Sequence, residues 1–287
     1  MSPSSYKFMG ATALVTGAAS GMGEQMAYGL AARGCNMVLV DRDAERLTDV
    51  AEAVRLGHPD REVATYVVDL AELDKLESAV EVILAKHPDI TLLINNAGVA
   101  LGGNFRDLTA EEFQWVQDIN FRAPVVLTRL LLPTLLASPG SHIVNVSSLF
   151  GLIAPPGQCA YAASKFALRG FSEALRHELA GYGVTVTTVH PGGIRTRIAE
   201  GVRIADAASE EQARAGKAAF AKLLTYPADK AAEQILDGVA QRKPRVLIAA
   251  SAMTADIVAR LFPTSYLSVL KRLSPGGGRQ RRAETAR

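Results

Sequence analysis

The sequence predicts an α/β fold: a single doubly wound, Rossmann-type domain with a mainly parallel, seven-stranded sheet and helices on both faces. Three observations predict it. Short β-type runs alternate with helical patterns along most of the chain. Those runs are continuously apolar, as in Leu14-Val15 and Val38-Leu39-Val40, which marks strands buried on both faces of a parallel sheet. The glycine-rich and polar motifs all follow strand ends, where ligands sit in such folds.

The elements follow in order. Ala11 to Thr16 reads as the first strand. It leads into Gly17-Ala18-Ala19-Ser20-Gly21-Met22-Gly23 and a helix reaching Arg33. Asn36 to Val40 is the second strand, ending at Asp41, and Asp43 to Leu56 alternates as a helix. Val63 to Val68 is the third strand, ending at Asp69, with a helix over Leu73 to Lys86. Ile90 to Ile94 runs into Asn95-Asn96-Ala97-Gly98. Thr109 to Ala137 reads as helix, with interruptions expected near Pro124 and Pro133. His142 to Val146 is the fifth strand, followed by a long helix within Gln158 to Gly181. Val184 to Val189 is the sixth, ending at His190-Pro191-Gly192, and Arg245 to Ile248 the seventh. There is no internal repeat and no evident linker, so residues 1–273 read as one domain. Residues 274–287, with three consecutive glycines and several arginines, read as a disordered basic tail.

The composition describes an ordinary globular protein: 287 residues, 48% hydrophobic and 21% charged. A formal net charge of +2 makes no electrostatic case for nucleic acid. Cys35 and Cys159 form no metal-ligand or Cys-x-x-Cys spacing, and the histidines are scattered, so no metal site is expected. A reduced, cytoplasmic protein follows. No uninterrupted apolar run reaches the ~18 residues of a membrane span. Ala255 to Leu273, broken by Arg260, Pro263 and Lys271, reads as a helix packed on the domain or a partner subunit.

Tyr161 and Lys165 stand four apart on the long helix, hence on one face. A phenol titrates near pH ~10, too high for acid–base work at neutrality. A neighbouring ammonium favours the phenolate and brings it down, so the pair reads as a candidate proton relay. A surface Tyr–Lys pair is the alternative. Ser148, on the turn after the fifth strand, can reach the same substrate oxygen. Gly17, Gly21 and Gly23 form a strand–loop–helix turn. It lets a pyrophosphate approach the N-terminus of the next helix, where free N–H groups favour anions. No Gly-Lys-Ser/Thr follows, which excludes a triphosphate P-loop. Asp41, eighteen residues beyond Gly23, can hold the adenosine ribose or cap the next helix. Asp69, with Leu70 beside it, can meet the adenine amino group or cap likewise. His190, Trp115 and Phe113 read as packing residues.

Assembled, these residues resemble the short-chain dehydrogenase/reductase family. The resemblance rests on Thr16-Gly17-x-x-x-Gly21-x-Gly23, Asp69, Asn95-Asn96-Ala97-Gly98, Asn120, Ser148, Tyr161-x-x-x-Lys165 and Pro191-Gly192-x-x-x-Thr196. It covers about Thr12 to Thr196 motif by motif. A serine–tyrosine separation of thirteen residues selects Ser148 over Ser147 as the family's serine. The resemblance implies that Tyr161 is the general acid–base and that Ser148 polarises the substrate oxygen. Lys165 would bond the nicotinamide ribose and lower the tyrosine pKa, and Asn120 would hold a water. Ser20, Met22, Arg42, Asn96, Ala97 and Gly98 would line the cofactor cleft, with Pro191, Gly192, Ile194 and Thr196 at the carboxamide.

The implied activity is an NAD(P)-dependent oxidoreduction of a secondary alcohol or ketone. Apolar residues from Val99 to Leu101 and Leu149 to Pro156, with the segment Ile198 to Leu224, are expected to build an apolar substrate pocket and a lid. NAD(H) is expected over NADP(H) because Asp41 would repel a 2′-phosphate, with Arg42 as the opposing cation. The helices bearing Asn120 and Tyr161 carry Leu127, Leu130, Leu131, Phe166 and Phe171, expected at a homodimer or homotetramer interface. The rival classes are an epimerase or dehydratase relative and a non-catalytic dinucleotide-binding protein.

Overall fold

The computed structural model describes residues 5–197 and 201–273, so the tail expectation for 274–287 lies outside the described residues. Seven strands form one sheet: β1 (Thr12–Thr16), β2 (Asn36–Asp41), β3 (Val63–Val67), β4 (Ile90–Asn95), β5 (His142–Val146), β6 (Thr185–Pro191) and β7 (Arg245–Ile248). All pairings within this sheet are parallel, in the order β7-β6-β5-β4-β1-β2-β3. The chain winds outward from β1 in one direction and returns past it in the other, so the carboxyl ends of β1 and β4 diverge and leave a crevice.

Successive residues of the strands feed opposite cores. Ala13 and Val15 pack with Met26, Leu30, Leu47, Ile235 and Leu236, from helices α1 (Gly21–Ala32), α2 (Ala44–Gly57) and α8 (Ala228–Ala240). Leu14 packs on the other side with Leu76, Leu127, Leu131 and Leu175, from α3 (Leu73–Lys86), α5 (Ala123–Ala137) and α6 (Cys159–Leu179). Both layers being apolar is why the strands read as unbroken hydrophobic runs. Each fully buried Leu in these layers contributes roughly 1.5–3 kcal/mol. Two corrections follow for α5. Leu127 and Leu131 are buried in this core and are not available to a partner. The expected interruption near Pro124 is present as a change of helix type, whereas Pro133 lies inside α5 without ending it. Between α4 (Ala110–Gln117) and α5 the backbone widens into a π-type turn, Asp118–Arg122, in which the Ala123 N–H donates to the Asp118 carbonyl five residues back. That turn absorbs Pro124, which has no N–H to give the Asn120 carbonyl. The stretch Ala110–Ala137 is long and apolar enough to cross a bilayer by composition, and its buried side chains cover the sheet.

Polar side chains inside the core lock α6 to the sheet. Asn95 and Asn145 face each other across β4 and β5, and Asn95 Nδ2 donates to Asn145 Oδ1 at 2.8 Å. Asn145 Nδ2 in turn donates to Ser172 Oγ on α6 at 2.9 Å. A buried donor left unpaired costs about 1–3 kcal/mol, so this register is strongly specified. It sets the height at which α6 carries Tyr161 and Lys165 past the sheet edge.

Candidate active site

A cavity of about 710 Å³ opens at the carboxyl ends of the strands. At its floor β1 turns sharply through Gly17, whose φ of +67° favours glycine and whose Cβ would stand 2.8 Å from Ala97 Cα. Gly23 is required for a different reason, since a Cβ there would lie 1.9 Å from the Gly17 carbonyl oxygen. The loop is clamped to the neighbouring motif. Asn96 Nδ2 donates to the carbonyls of Thr16 and Gly17 at 3.0 and 3.2 Å, and Thr16 Oγ1 accepts the N–H groups of Asn96 and Ala97. Ser20 at the N-cap of α1 makes no side-chain capping bond, so its first-turn N–H groups are left for a ligand.

Asp41 closes this end of the cavity. Its carboxylate accepts from Ala19 N–H at 3.0 Å and from Asp43 N–H at 3.1 Å. The cap of α2 is Asp43, which accepts from Arg46 N–H, so the capping alternative for Asp41 does not hold. Asp69 accepts from Ala71 N–H at 2.9 Å and faces the same cavity.

At the other end stand Ser148, Tyr161 and Lys165. Lys165 is 3% exposed, and Nζ donates to the Val146 carbonyl at 3.0 Å and lies 5.8 Å from the Tyr161 ring centre. Burial pulls its pKa down to about 8. Tyr161 is half-buried against the cavity wall, and desolvation raises its pKa while the Ser148 hydroxyl opposes the rise. The net direction is upward in the chain by itself, opposite to the depressed phenol expected from the Tyr161–Lys165 spacing. Ser148 Oγ accepts from Phe150 N–H at 3.1 Å, and its hydroxyl is hydrogen-bonded to the Tyr161 phenol. Gly98 is small because a Cβ would come within 3.3 Å of both Lys165 Nζ and Asn120 Oδ1.

The family model described as short chain dehydrogenase matches residues 11–207. This chain belongs to the short-chain dehydrogenase/reductase family. SadH of Mycobacterium tuberculosis is 38% identical over 262 residues, covering 90% of this chain and 93% of SadH. Dehydrogenase/reductase SDR family member 7B of Xenopus laevis is 31% identical over 269 residues, covering 91% and 80% of the two chains. Among solved structures, a short-chain dehydrogenase/reductase of Burkholderia phymatum in complex with NAD superposes with a TM-score of 0.80 at 26% identity, covering 89% and 95%. One from Sphingobium yanoikuyae in complex with NADPH gives 0.74 at 31% identity, with the same coverage of 89% and 95%.

In this family member the cavity gathers nearly every residue singled out from the sequence. Gly17, Ser20, Gly21, Met22, Asp41, Arg42, Asp69, Leu70, Asn96, Ala97 and Gly98 line it, as do Pro191, Gly192, Ile194 and Thr196. Gly23 and Asn120 are not among the lining residues. Gly23 shapes the loop from behind. Asn120 is fully buried, and its amide is consumed: Oδ1 accepts from Val99 N–H at 2.9 Å, and Nδ2 donates to Val99 O and Ser164 Oγ. Ser164 Oγ donates onward to the Tyr161 carbonyl at 2.7 Å. The Asn120 side chain therefore braces the Tyr161 turn and does not face the cavity. Ser147 Oγ donates to the Lys165 carbonyl at 2.9 Å, which ties the end of β5 to α6.

The substrate wall is narrower than the sequence suggests. Val99, Ala100, Leu149 and Phe150 line the cavity, whereas Leu152 and Ile153 are turned into the protein and 5% and 7% exposed. Phe220, Leu223 and Leu224, at the end of α7 (Glu210–Leu223), complete the wall. Residues 198–200 of the expected lid lie outside the described residues. The rest is tied down at both ends. Arg203–Ile204 pairs in parallel with Leu101–Gly102, and the Gly193 carbonyl accepts from Thr225 and Tyr226 N–H. Sequence reasoning missed Thr16, Ala19, Arg46 and Ser164. The clue available was their place inside the recognised motifs or one helical turn beyond them.

Proposed function

We propose that this dehydrogenase uses a nicotinamide dinucleotide to interconvert a secondary alcohol and a ketone of apolar character, with Tyr161 as the acid–base. One observation carries the reading: a single cavity has a pyrophosphate-sized glycine cradle and Asp41 at one end, and Ser148, Tyr161 and Lys165 at the other. The uncapped first turn of α1 and the absence of Cβ atoms at Gly17 and Gly21 fit a dinucleotide. When bound, the nicotinamide supplies or accepts the hydride. The chain's own groups handle the proton. Tyr161 Oη gives a proton to the carbonyl oxygen in reduction and takes it from the hydroxyl in oxidation. Ser148 donates a hydrogen bond to that oxygen and holds it in place. Lys165 has spent one N–H on Val146, and its remaining donors serve the ribose while its charge favours the phenolate.

NAD(H) is the proposed preference over NADP(H). Asp41 is held at the cavity wall by two N–H groups, where it accepts from ribose hydroxyls and repels a phosphate. Arg42 also lines this end, and Arg46 is paired with Asp43 at 3.3 Å. Asp41→Ala should raise the KM for NAD+ and lower it for NADP+. The test compares kcat/KM for both cofactors across a panel of secondary alcohols. Parity, or a lead for NADP+, in the unmodified enzyme refutes the preference, and no turnover with any alcohol or ketone refutes the reading itself.

The assembly proposed is a homodimer or homotetramer through the outer faces of α5 and α6. Leu130 and Phe171 are half-buried there and Phe166 is 39% exposed. Sedimentation at micromolar concentration should give at least twice the chain mass of 30.5 kDa. A monomer contradicts it.

A further inference from the structure

We infer that the C-terminal helices form a docking face for an anionic lipid surface. On α9 (Ala250–Leu261) Met253, Ile257 and Leu261 recur every fourth residue and are 48%, 58% and 68% exposed. Phe262 follows at 45%, and Leu273, at the end of α10 (Tyr266–Leu273), at 62%. Single exposed apolar residues are ordinary, but a row of large ones along one helix face, with Phe262 following it, marks an interaction site. The opposite side of α9 is held to the fold by Ala252, Ala255 and Val258, all buried, so the exposed row is the helix's outward face.

Charge decides the occupant. Residues 250–287 contain seven Arg and Lys against two acids, a net +5 in a chain whose total is +2, so residues 1–249 carry −3. Of the two acids, Asp256 is neutralised by Arg245 and Arg260. Lys271 and Arg272 end α10, and Arg279, Arg281, Arg282 and Arg287 follow in the sequence. An apolar helical face with adjoining cations binds at the interface of an anionic bilayer through buried apolar surface and electrostatic attraction together. A two-fold contact through the same face would instead bring the cations Lys271 and Arg272 towards those of a second copy.

The face adjoins the cavity proposed above to take an apolar substrate, and the functional benefit rests on that reading. Ser251, in the first turn of α9, lines the cavity. Tyr266 Oη, at the start of α10, accepts from Ala154 N–H at 3.1 Å, in the loop that follows Phe150. Leu223 lines the cavity while 60% exposed. A lipid surface seated here would present apolar substrates close to the cavity.

The test is flotation of the full-length protein with vesicles of phosphatidylcholine alone and of phosphatidylcholine with roughly one-third phosphatidylglycerol. The expected result is at least about tenfold more protein on the anionic vesicles at low salt, falling steeply once the Debye length drops to ~3 Å at 1 M salt. The paired exposed substitutions Ile257→Glu with Leu261→Glu, and separately Lys271→Glu with Arg272→Glu, should each lower binding about tenfold or more. Melting temperature and turnover of a water-soluble alcohol should stay unchanged, which separates this proposal from the enzymatic one. Equal binding to both vesicle types, or no binding to either, overturns it. So does a fall in sedimenting mass for Ile257→Glu with Leu261→Glu, which would assign the face to a second copy.

Discussion

Tyr161→Phe is expected to lower turnover by ~10²–10⁴-fold, the usual contribution of a general acid–base, while dinucleotide binding changes little. The hydroxyl is the only atom lost, and the ring keeps its edge-on contact with Phe150 at 6.1 Å. Because burial raises this phenol, it holds its proton at neutral pH and is ready to donate in ketone reduction. Alcohol oxidation needs the phenolate, so its rate in the unmodified enzyme should climb with pH across the neutral range. Lys165→Ala should reduce both cofactor binding and turnover, since Lys165 serves two partners. Stopped-flow binding of reduced dinucleotide beside steady-state rates separates these effects. A near-normal rate for Tyr161→Phe would remove Tyr161 from the mechanism.

Lowering the pH from 7.5 to 5 should destabilise the fold by about 4 kcal/mol through two buried histidines, His142 and His190. His142 lies in a closed chain of bonds: Arg242 donates to Thr185 Oγ1 at 2.7 Å, and Thr185 bonds His142 Nδ1 at 2.7 Å. His142 Nε2 bonds Thr187 Oγ1 at 2.8 Å, and Thr187 donates to the Lys243 carbonyl. Thr187 spends its proton on Lys243, so His142 carries its hydrogen on Nε2 and accepts at Nδ1. A second proton would put a charge in a fully buried site facing the Arg242 guanidinium. His190 Nδ1 donates to the Ser148 carbonyl at 3.0 Å, and Arg245, Arg169 and Asp256 lie around it. Burial first, with Arg242 second, lowers His142 to about 3, and burial lowers His190 to about 4. Both would titrate near ~6.5 unfolded, so below that pH the unfolded chain binds more protons and stability falls. Each histidine loses about 2 kcal/mol by pH 5, and the loss continues until the folded values are reached. The lowered carboxylates Asp256, Glu173 and Glu233 add their own losses mainly below about pH 4.3. Urea unfolding at the two pH values measures the difference, and a change under 1 kcal/mol would show that these histidines accept protons in the folded state.

The sequence by itself determined the doubly wound fold, the sheet edge at which the motifs gather, and most of the residues that line the cavity. It could do so because these features are local: strand runs, the glycine turn, and side chains four apart on one helix. Each strand of the seven-stranded sheet was placed to within two residues, and His142–Val146 and Arg245–Ile248 matched at both ends; the short pairs Leu101–Gly102 with Arg203–Ile204 and Ile194–Arg195 with Tyr226–Pro227 were not foreseen. Tertiary structure alone decided how each residue is used. Asn120 has the same amide whether it faces a cavity or Val99, and only packing against Val99 and Ser164 turned it inward. Leu127 and Leu131 looked like interface residues because a helix's periodicity shows an apolar face without showing what covers it. Here the helix's own sheet does. The direction of the Tyr161 pKa is set by burial, opposed by the Ser148 hydroxyl, and neither the burial nor that contact is encoded by a spacing in the sequence.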